Sequence, residues 1–406
     1  MTPPDQPRRE TVDLGGVPTP SDIELMAMQQ GDYILRARGG ALTKVPVEKS
    51  KLPRDPEGSV QQMTVKLAPD GTVYANQPTM TCRSTDGGQT WTRYECDHRL
   101  FLPRSENGNA RHQILSDGTF IAVTLRPKNG DNLAQVWASG DAGRSFEKLS
   151  AIAAPDGFDE FDLRATPLEM FRLPDDTLIW GVQVRNAKYT KRAGIEDKWV
   201  SGKHMNAVFR SVDRGMTWKG PHHLSDWTSE GGIAQMASGR LLAAIRYQRA
   251  LLPGDPPELL EKTGASISPF DTDWPYKHVM LVDSEDGGRT WANHRLLTSL
   301  FGQCYGFPAG LSDGTAVVVH DHRYPRTPSV GRAMISHDEG QTWEDEVYYM
   351  FAAAGVAGYS QSVVLPDEVI LTLSGVCDKL ESKQSGLSAL SGNSDIISIR
   401  WNPVKG

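Results

Sequence analysis

Glu230 stands nine residues before Gly239 and Arg246 seven after it, so a carboxylate and a guanidinium flank one turn glycine at fixed distances. The same backward count from Gly71, Gly118, Asp176, Gly314 and Glu368 reaches Gln62, Asn109, Pro167, Tyr305 and Tyr359. Five of these six positions are polar or aromatic although each precedes an apolar run, as a wet, ligand-binding cavity requires. The forward count reaches Pro78, Leu125, Gln183, Arg246, Asp321 and Gly375, and Arg246 closes the apolar run Leu241–Ile245. Carboxylates and phenols exchange protons, and arginine holds anions by charge-assisted, often bidentate hydrogen bonds. Two further stretches, Arg111-His112 and His320-Asp321-His322-Arg323, bring imidazoles near the same depths and could supply a general acid.

Two interleaved repeats must position these residues. Ala68–Gly71, Leu115–Gly118, Leu173–Asp176, Met236–Gly239, Leu311–Gly314 and Leu365–Glu368 read as hairpin turns. Each precedes a β-rich run such as Thr315–Val319 or Val369–Leu373. Six turns predict six blades. After the first five comes an eight-residue pattern closed by an aromatic residue: Ser84–Trp91, Ser139–Phe146, Ser211–Trp218, Ser284–Trp291 and Ser336–Trp343. Repetition of this kind marks arrayed supersecondary units. Asp followed by Gly supplies a tight turn, and the closing aromatic is placed to pack between neighbouring units. The sixth turn is followed instead by a Ser/Gly-rich stretch and the strand-like Asp395–Trp401, predicted to close the ring by pairing with Asp32–Arg36. Residues 1–30 read as an N-terminal extension and 31–406 as one propeller. The irregular stretches Tyr189–His204 and Ala250–Tyr276 are placed to rim a pocket.

Composition narrows the partners. The 39 Gly and 26 Pro suit a turn-rich all-β chain, and a net charge of -7 argues against binding driven by nucleic-acid phosphates. No apolar run is long enough to span a bilayer and the N-terminus lacks a signal-peptide core, so no membrane partner and a cytoplasmic location are expected. Cys82, Cys96, Cys304 and Cys377 lack metal-ligand spacing. Cys82 and Cys96 could face each other across a hairpin or remain reduced packing residues. Each eight-residue pattern carries one carboxylate, too few oxygens for calcium, so no metal or cofactor is expected.

The eight-residue unit is the Asp-box pattern, and the chain resembles the sialidase superfamily, whose members are six-bladed β-propellers with four-stranded antiparallel blades. Glu230, Gly239 and Arg246 match the spacing of that family's fourth blade, and Tyr359 the tyrosine of its sixth. Arg326, in His322-Arg-Tyr-Pro-Arg326, best matches the arginine before the fifth box, with Arg323 and Arg332 as rivals. The resemblance implies Tyr359 as nucleophile, Glu230 as its base, and Arg246 and Arg326 as clamps on a substrate carboxylate. A phenol near pKa 10 needs such a base, and it avoids the repulsion a carboxylate nucleophile meets at an anionic sugar.

Two first-blade elements of the family are missing. Val60-Gln61-Gln62 replaces an arginine pattern, and no Asp lies between Gly71 and Ser84 to serve as acid. Arg54, Asp55 and Glu57 lie just upstream. The expectation is therefore a sialidase-like glycoside hydrolase on an anionic carbohydrate, not a strict sialidase, with His112 as substitute acid. Arg323, Tyr305, Gln62, Asn109, Asp321 and His322 complete the expected substrate-binding set. A uronate-directed lyase and a non-catalytic glycan-binding propeller are the alternatives.

Overall fold

A computed structural model describes residues 16–54, 64–77, 80–97, 111–125, 132–153, 161–165, 168–186, 204–249, 251, 254–256, 259, 276–322, 329–353, 360–377 and 394–404. Six antiparallel sheets follow one another along the chain and form a six-bladed β-propeller. Their innermost strands are Thr64–Leu67, Arg111–Ile114, a split pair Phe161–Ala165 and Phe171–Arg172, Thr228–Gln235, Gln303–Gly310 and Gln361–Val364. Each of these contacts the next around the axis, and the last contacts the first.

Alternation of buried side chains gives each blade two apolar faces, which meet its neighbours in separate interblade cores. Blades 3 and 4, for example, share Leu173, Ile179, Val208, Leu241, Ala243 and Val282. Aromatic residues from the repeated turns enter these layers. Trp91 packs with Leu371, Leu373 and Ile396 of blade 6, and Trp291 with Ile179 of blade 3.

The repeated turns owe their shape to two side chains. Ser84 Oγ accepts the Gly88 N–H at 2.7 Å and donates to Asp86 Oδ1 at 2.6 Å. Asp86 also accepts the Thr90 N–H at 2.9 Å and the Thr90 hydroxyl. The serine-to-glycine bond recurs at Ser139, Ser211, Ser284 and Ser336. All five turns lie at the end of the molecule that carries the six hairpin turns, because Val73, which opens a second strand, pairs with Ser84, which ends a third.

Ring closure differs from the sequence expectation. The last strand, Ser394–Trp401, pairs with Glu48–Lys51, with Ile397 opposite Lys51 and Arg400 opposite Glu48. The segment expected there, Tyr33–Arg38, joins the outer edge of blade 5 against Glu346–Ala353. Burial explains the exchange. Ile34 enters the core between blades 5 and 6, while Leu35 and Ala37 enter the core between blades 4 and 5, where Leu25 and Met28 of the helix Asp22–Gln30 also pack. Ile34, Leu35 and Ala37 of this strand need cover from the flanking cores. Glu48–Lys51, partly exposed and charged, tolerates an edge.

Cys82 and Cys96 do not pair, and Cys96 Sγ instead lies 2.8 Å from Thr81 Oγ1. No helix among the described residues is long and apolar enough to cross a membrane.

Candidate functional site

Each blade delivers a different residue to the axis. The innermost strands of blades 4 and 5 each carry a bulge at the same depth. Thr228 pairs with Tyr247 and Gly231 with Ile245; Cys304 pairs with Asp321 and Phe307 with Val319. One extra residue is thus accommodated between each pair, and Glu230 and Tyr305 sit in those bulges. Bulges re-aim side chains out of the ladder. Both depend on the glycine that follows. A Cβ on Gly231 would lie 2.2 Å from the Ala244 carbonyl oxygen, and one on Gly306 2.7 Å from Val279 Cγ1. Tyr305 itself adopts φ 52°, a costly conformation for an aromatic residue.

Glu230 Oε2 accepts from Arg246 NH1 at 2.8 Å and from the Ser229 hydroxyl at 2.9 Å. The Glu230 side chain keeps 26% of its surface exposed and that of Arg246 10%, so the pair opens toward solvent at the carboxylate. The sequence reading gave these two as base and substrate clamp; the structure pairs them with each other.

Next to this pair lies a polar plug that the counting missed. Glu169, at the inner edge of blade 3, is buried between Lys66 Nζ of blade 1 and Arg111 Nε of blade 2, each at 3.3 Å. Its Oε1 also accepts from Gln361 Nε2 of blade 6 at 2.8 Å. The same nitrogen lies 3.1 Å from Tyr305 Oη of blade 5, while Gln361 Oε1 accepts the Val65 N–H at 3.0 Å. Glu169 adjoins the blade 4 strand through its N–H, which donates to the Gly231 carbonyl at 3.3 Å. The two carboxylates therefore come from neighbouring backbones. A signal did exist for part of this set: Arg111, Glu169 and Gln361 stand seven residues before Gly118, Asp176 and Glu368. That position is two residues from the one counted, on the same face of a strand. Lys66 follows no comparable count.

Electrostatics assign protonation states. Burial pushes the Glu169 carboxyl up, but Arg111 and Lys66, helped by the Gln361 hydrogen bond, outweigh it and hold the group below the usual carboxylate range. Burial lowers the Lys66 ammonium against the pull of Glu169. Burial, reinforced by the charge of Glu169, raises the Tyr305 phenol, which stays protonated.

His112 is fully buried on the other face of its strand from Arg111, stacked on Phe120 with ring centroids 6.1 Å apart. Burial, with Lys66 adding to it, lowers its pKa to about 3, so the imidazole is neutral near pH 7 and carries no proton of the required acidity. Asp321 and His322 end the second strand of blade 5, buried and in register with Cys304 and Gln303. His320, hydrogen-bonded to the Asp321 carbonyl, is lowered to about 4 by burial. Arg332, a rival clamp, stacks over the Tyr349 ring at 5.1 Å within the core between blades 4 and 5. Gln62, Asn109, Arg323, Arg326 and Tyr359 lie outside the described residues, as do Tyr189–His204 in all but its last residue and most of Ala250–Tyr276.

Below the plug, toward the turn-bearing end, the axis widens into a cavity of about 300 Å³ lined by Lys66, Gln113, Glu169, Phe171, Ile233 and Phe307, among others. Among the described residues no cluster of His, Cys, Asp and Glu could hold a metal ion.

No family model matches the chain, and no curated protein matches it in sequence. Solved structures do match. A protein of unknown function from Dyadobacter fermentans aligns at 16% identity and TM-score 0.58, covering 87% of this chain and 97% of that one. The α-L-arabinofuranosidase of Fusarium graminearum, in complex with an iminosugar inhibitor, aligns with the same coverage at 15% identity and TM-score 0.53. A Trypanosoma rangeli sialidase in complex with sialic acid aligns over 98% of this chain and 59% of that one, at 12% identity and TM-score 0.49. The shared feature is the six-bladed fold. At these identities the likeness extends to architecture and not to individual site residues.

Proposed function

We propose that the chain is a glycoside hydrolase that cleaves a glycosidic bond of an anionic sugar at the propeller axis. The Glu230–Arg246 pair carries this reading: a partly exposed carboxylate oriented by an arginine, beside a second carboxylate and a neutral phenol. Lys66, Arg111 and Arg246 against Glu169 and Glu230 leave the described axial cluster with an excess of positive charge, which favours an anionic substrate. In this reading Tyr359, two residues before Gln361 in sequence, attacks the anomeric carbon while Glu230 takes its proton; the glycosidic C–O bond breaks, the departing oxygen takes a proton from solvent, and water then hydrolyses the tyrosyl–sugar bond. Arg246, with Arg326 or Arg323, holds the substrate's anionic group, and Tyr305 donates a hydrogen bond to the sugar.

The backbone contact of Glu169 with Gly231, the residue after Glu230, favours a second reading, in which two carboxylates divide the work as nucleophile and acid–base. Glu169, held ionised, suits attack or stabilisation of positive charge at the anomeric carbon; Glu230 would then serve as acid. Trapping with fluorosugar inactivators followed by peptide mapping separates the two. A label on Tyr359 supports the first, and one on Glu169 the second. A product absorbing in the near ultraviolet would instead identify a lyase, and saturable binding without turnover across a broad glycoside panel would leave a binding propeller.

A further inference from the structure

Glu230 is held in place by the blade next door. Gln183 and Asn206 face each other across the second and third strands of blade 3, in register, so their side chains lie on one face of the sheet. Both are buried. Asn206 Nδ2 donates to the Ser229 carbonyl of blade 4 at 2.7 Å, and Gln183 Nε2 to the Thr228 carbonyl at 3.4 Å. These are consecutive carbonyls at the entrance to the bulge that carries Glu230. The approach is further constrained by Trp227, at φ 61°, whose carbonyl accepts the Gln248 N–H at 2.9 Å. The Ser229 side chain then donates to the Glu230 carboxylate itself.

A bulge breaks ladder pairing, so backbone carbonyls there lose the partners that fix a regular strand. The two amides bind the carbonyls of Thr228 and Ser229 from outside the blade 4 ladder. We propose that Gln183 and Asn206 are positioning residues, an amide clamp through which blade 3 sets the direction of Glu230 and so the geometry of its contact with Arg246 and substrate. This rests on the proposed function in one respect, that Glu230 acts on the substrate.

Asn206→Leu and Gln183→Met keep side-chain bulk and remove the donors. Crystal structures of both variants are expected to show the Glu230 carboxylate displaced by more than about 0.5 Å, the tolerance of a productive site, with a lengthened contact to Arg246. Glu230 unmoved in both overturns the proposal. With a cleavable sugar in hand, kcat should fall roughly 10- to 100-fold at nearly constant KM, the scale expected for a misplacement of about 1 Å. In a Glu230→Gln background neither substitution should lower kcat further; an additive loss there marks a merely structural role and overturns the clamp. Should Asn206→Leu fail to fold, Gln183→Met decides alone. Failure to find any cleaved sugar bears on the proposed function only, because the displacement of Glu230 is read without turnover.

Discussion

The turn-bearing end and the axis of this propeller are made by the same blades in opposite ways. At the turns, Ser84, Ser139, Ser211, Ser284 and Ser336 each repeat one bond to a glycine four residues on. Along the axis the blades diverge: Lys66, Arg111, Glu169, Glu230, Tyr305 and Gln361 come from blades 1 to 6 in order, and only glutamate occurs twice. A turn satisfies its own backbone within eight residues, so one solution can be copied. A ligand site needs different groups at one point, and a six-fold ring supplies them only if its blades diverge there. Stability should therefore be distributed over the turns, and activity concentrated at the axis.

The largest test of that division is Glu230→Gln, which should lower kcat by a factor of about 10² to 10⁴ while the melting temperature stays close to wild type. Loss of folding in this variant would make Glu230 a structural residue like those of the turns. Glu169→Leu should behave otherwise, because it leaves Lys66 and Arg111 without their shared carboxylate in a buried setting. A destabilisation of about 3–5 kcal/mol is expected in denaturant titration, and a value near zero would show that the plug is not a buried ion cluster in solution.

Ser336→Ala removes the acceptor for the buried Gly340 N–H and should cost about 1–3 kcal/mol with kcat on any substrate unchanged. A kinetic defect there would couple the turn end to the axis. The smallest effect concerns acid stability. Burial opposes ionisation of Asp86 and Asp286, yet hydrogen bonds from the serine, the threonine and the backbone of each turn outweigh it and set both pKa values at about 2. Folded-state values below the ordinary one mean that these carboxylates stabilise the fold fully above pH of about 4, and that the contribution is lost as pH falls toward 2. Asp86→Asn should flatten that part of the pH–stability curve relative to wild type.

Much of this was legible in the chain. The spacing of turn residues counted the blades, and it placed Glu230 and Arg246 on adjacent strands of one hairpin, where sequence distance fixes spatial distance. Glu169 was not legible in the same way. Its partners Lys66 and Gln361 lie 103 and 192 residues away in the chain and meet it only because the ring closes. His112, the expected acid, lies in the packed layer beside Phe120, because alternation decides which face of a strand a residue shows and it stands one step from Arg111. The closing strand went to Glu48–Lys51 because an edge selects the segment that can stay partly exposed, whereas Tyr33–Arg38 buries Ile34, Leu35 and Ala37 in two interblade cores.

The sequence by itself determined what is local: five serine–aspartate turns, six hairpins, the phase of each blade, and the placing of Glu230 and Arg246 on adjacent strands of one hairpin. Tertiary structure alone decided the bulges that aim Glu230 and Tyr305, the plug of Lys66, Arg111, Glu169 and Gln361, and the amides of Gln183 and Asn206 that reach across to blade 4. The reason is physical. Turn chemistry is settled by neighbours along the chain, but a charge on the axis of a ring is stabilised by groups from every blade, and their distances exist only after closure.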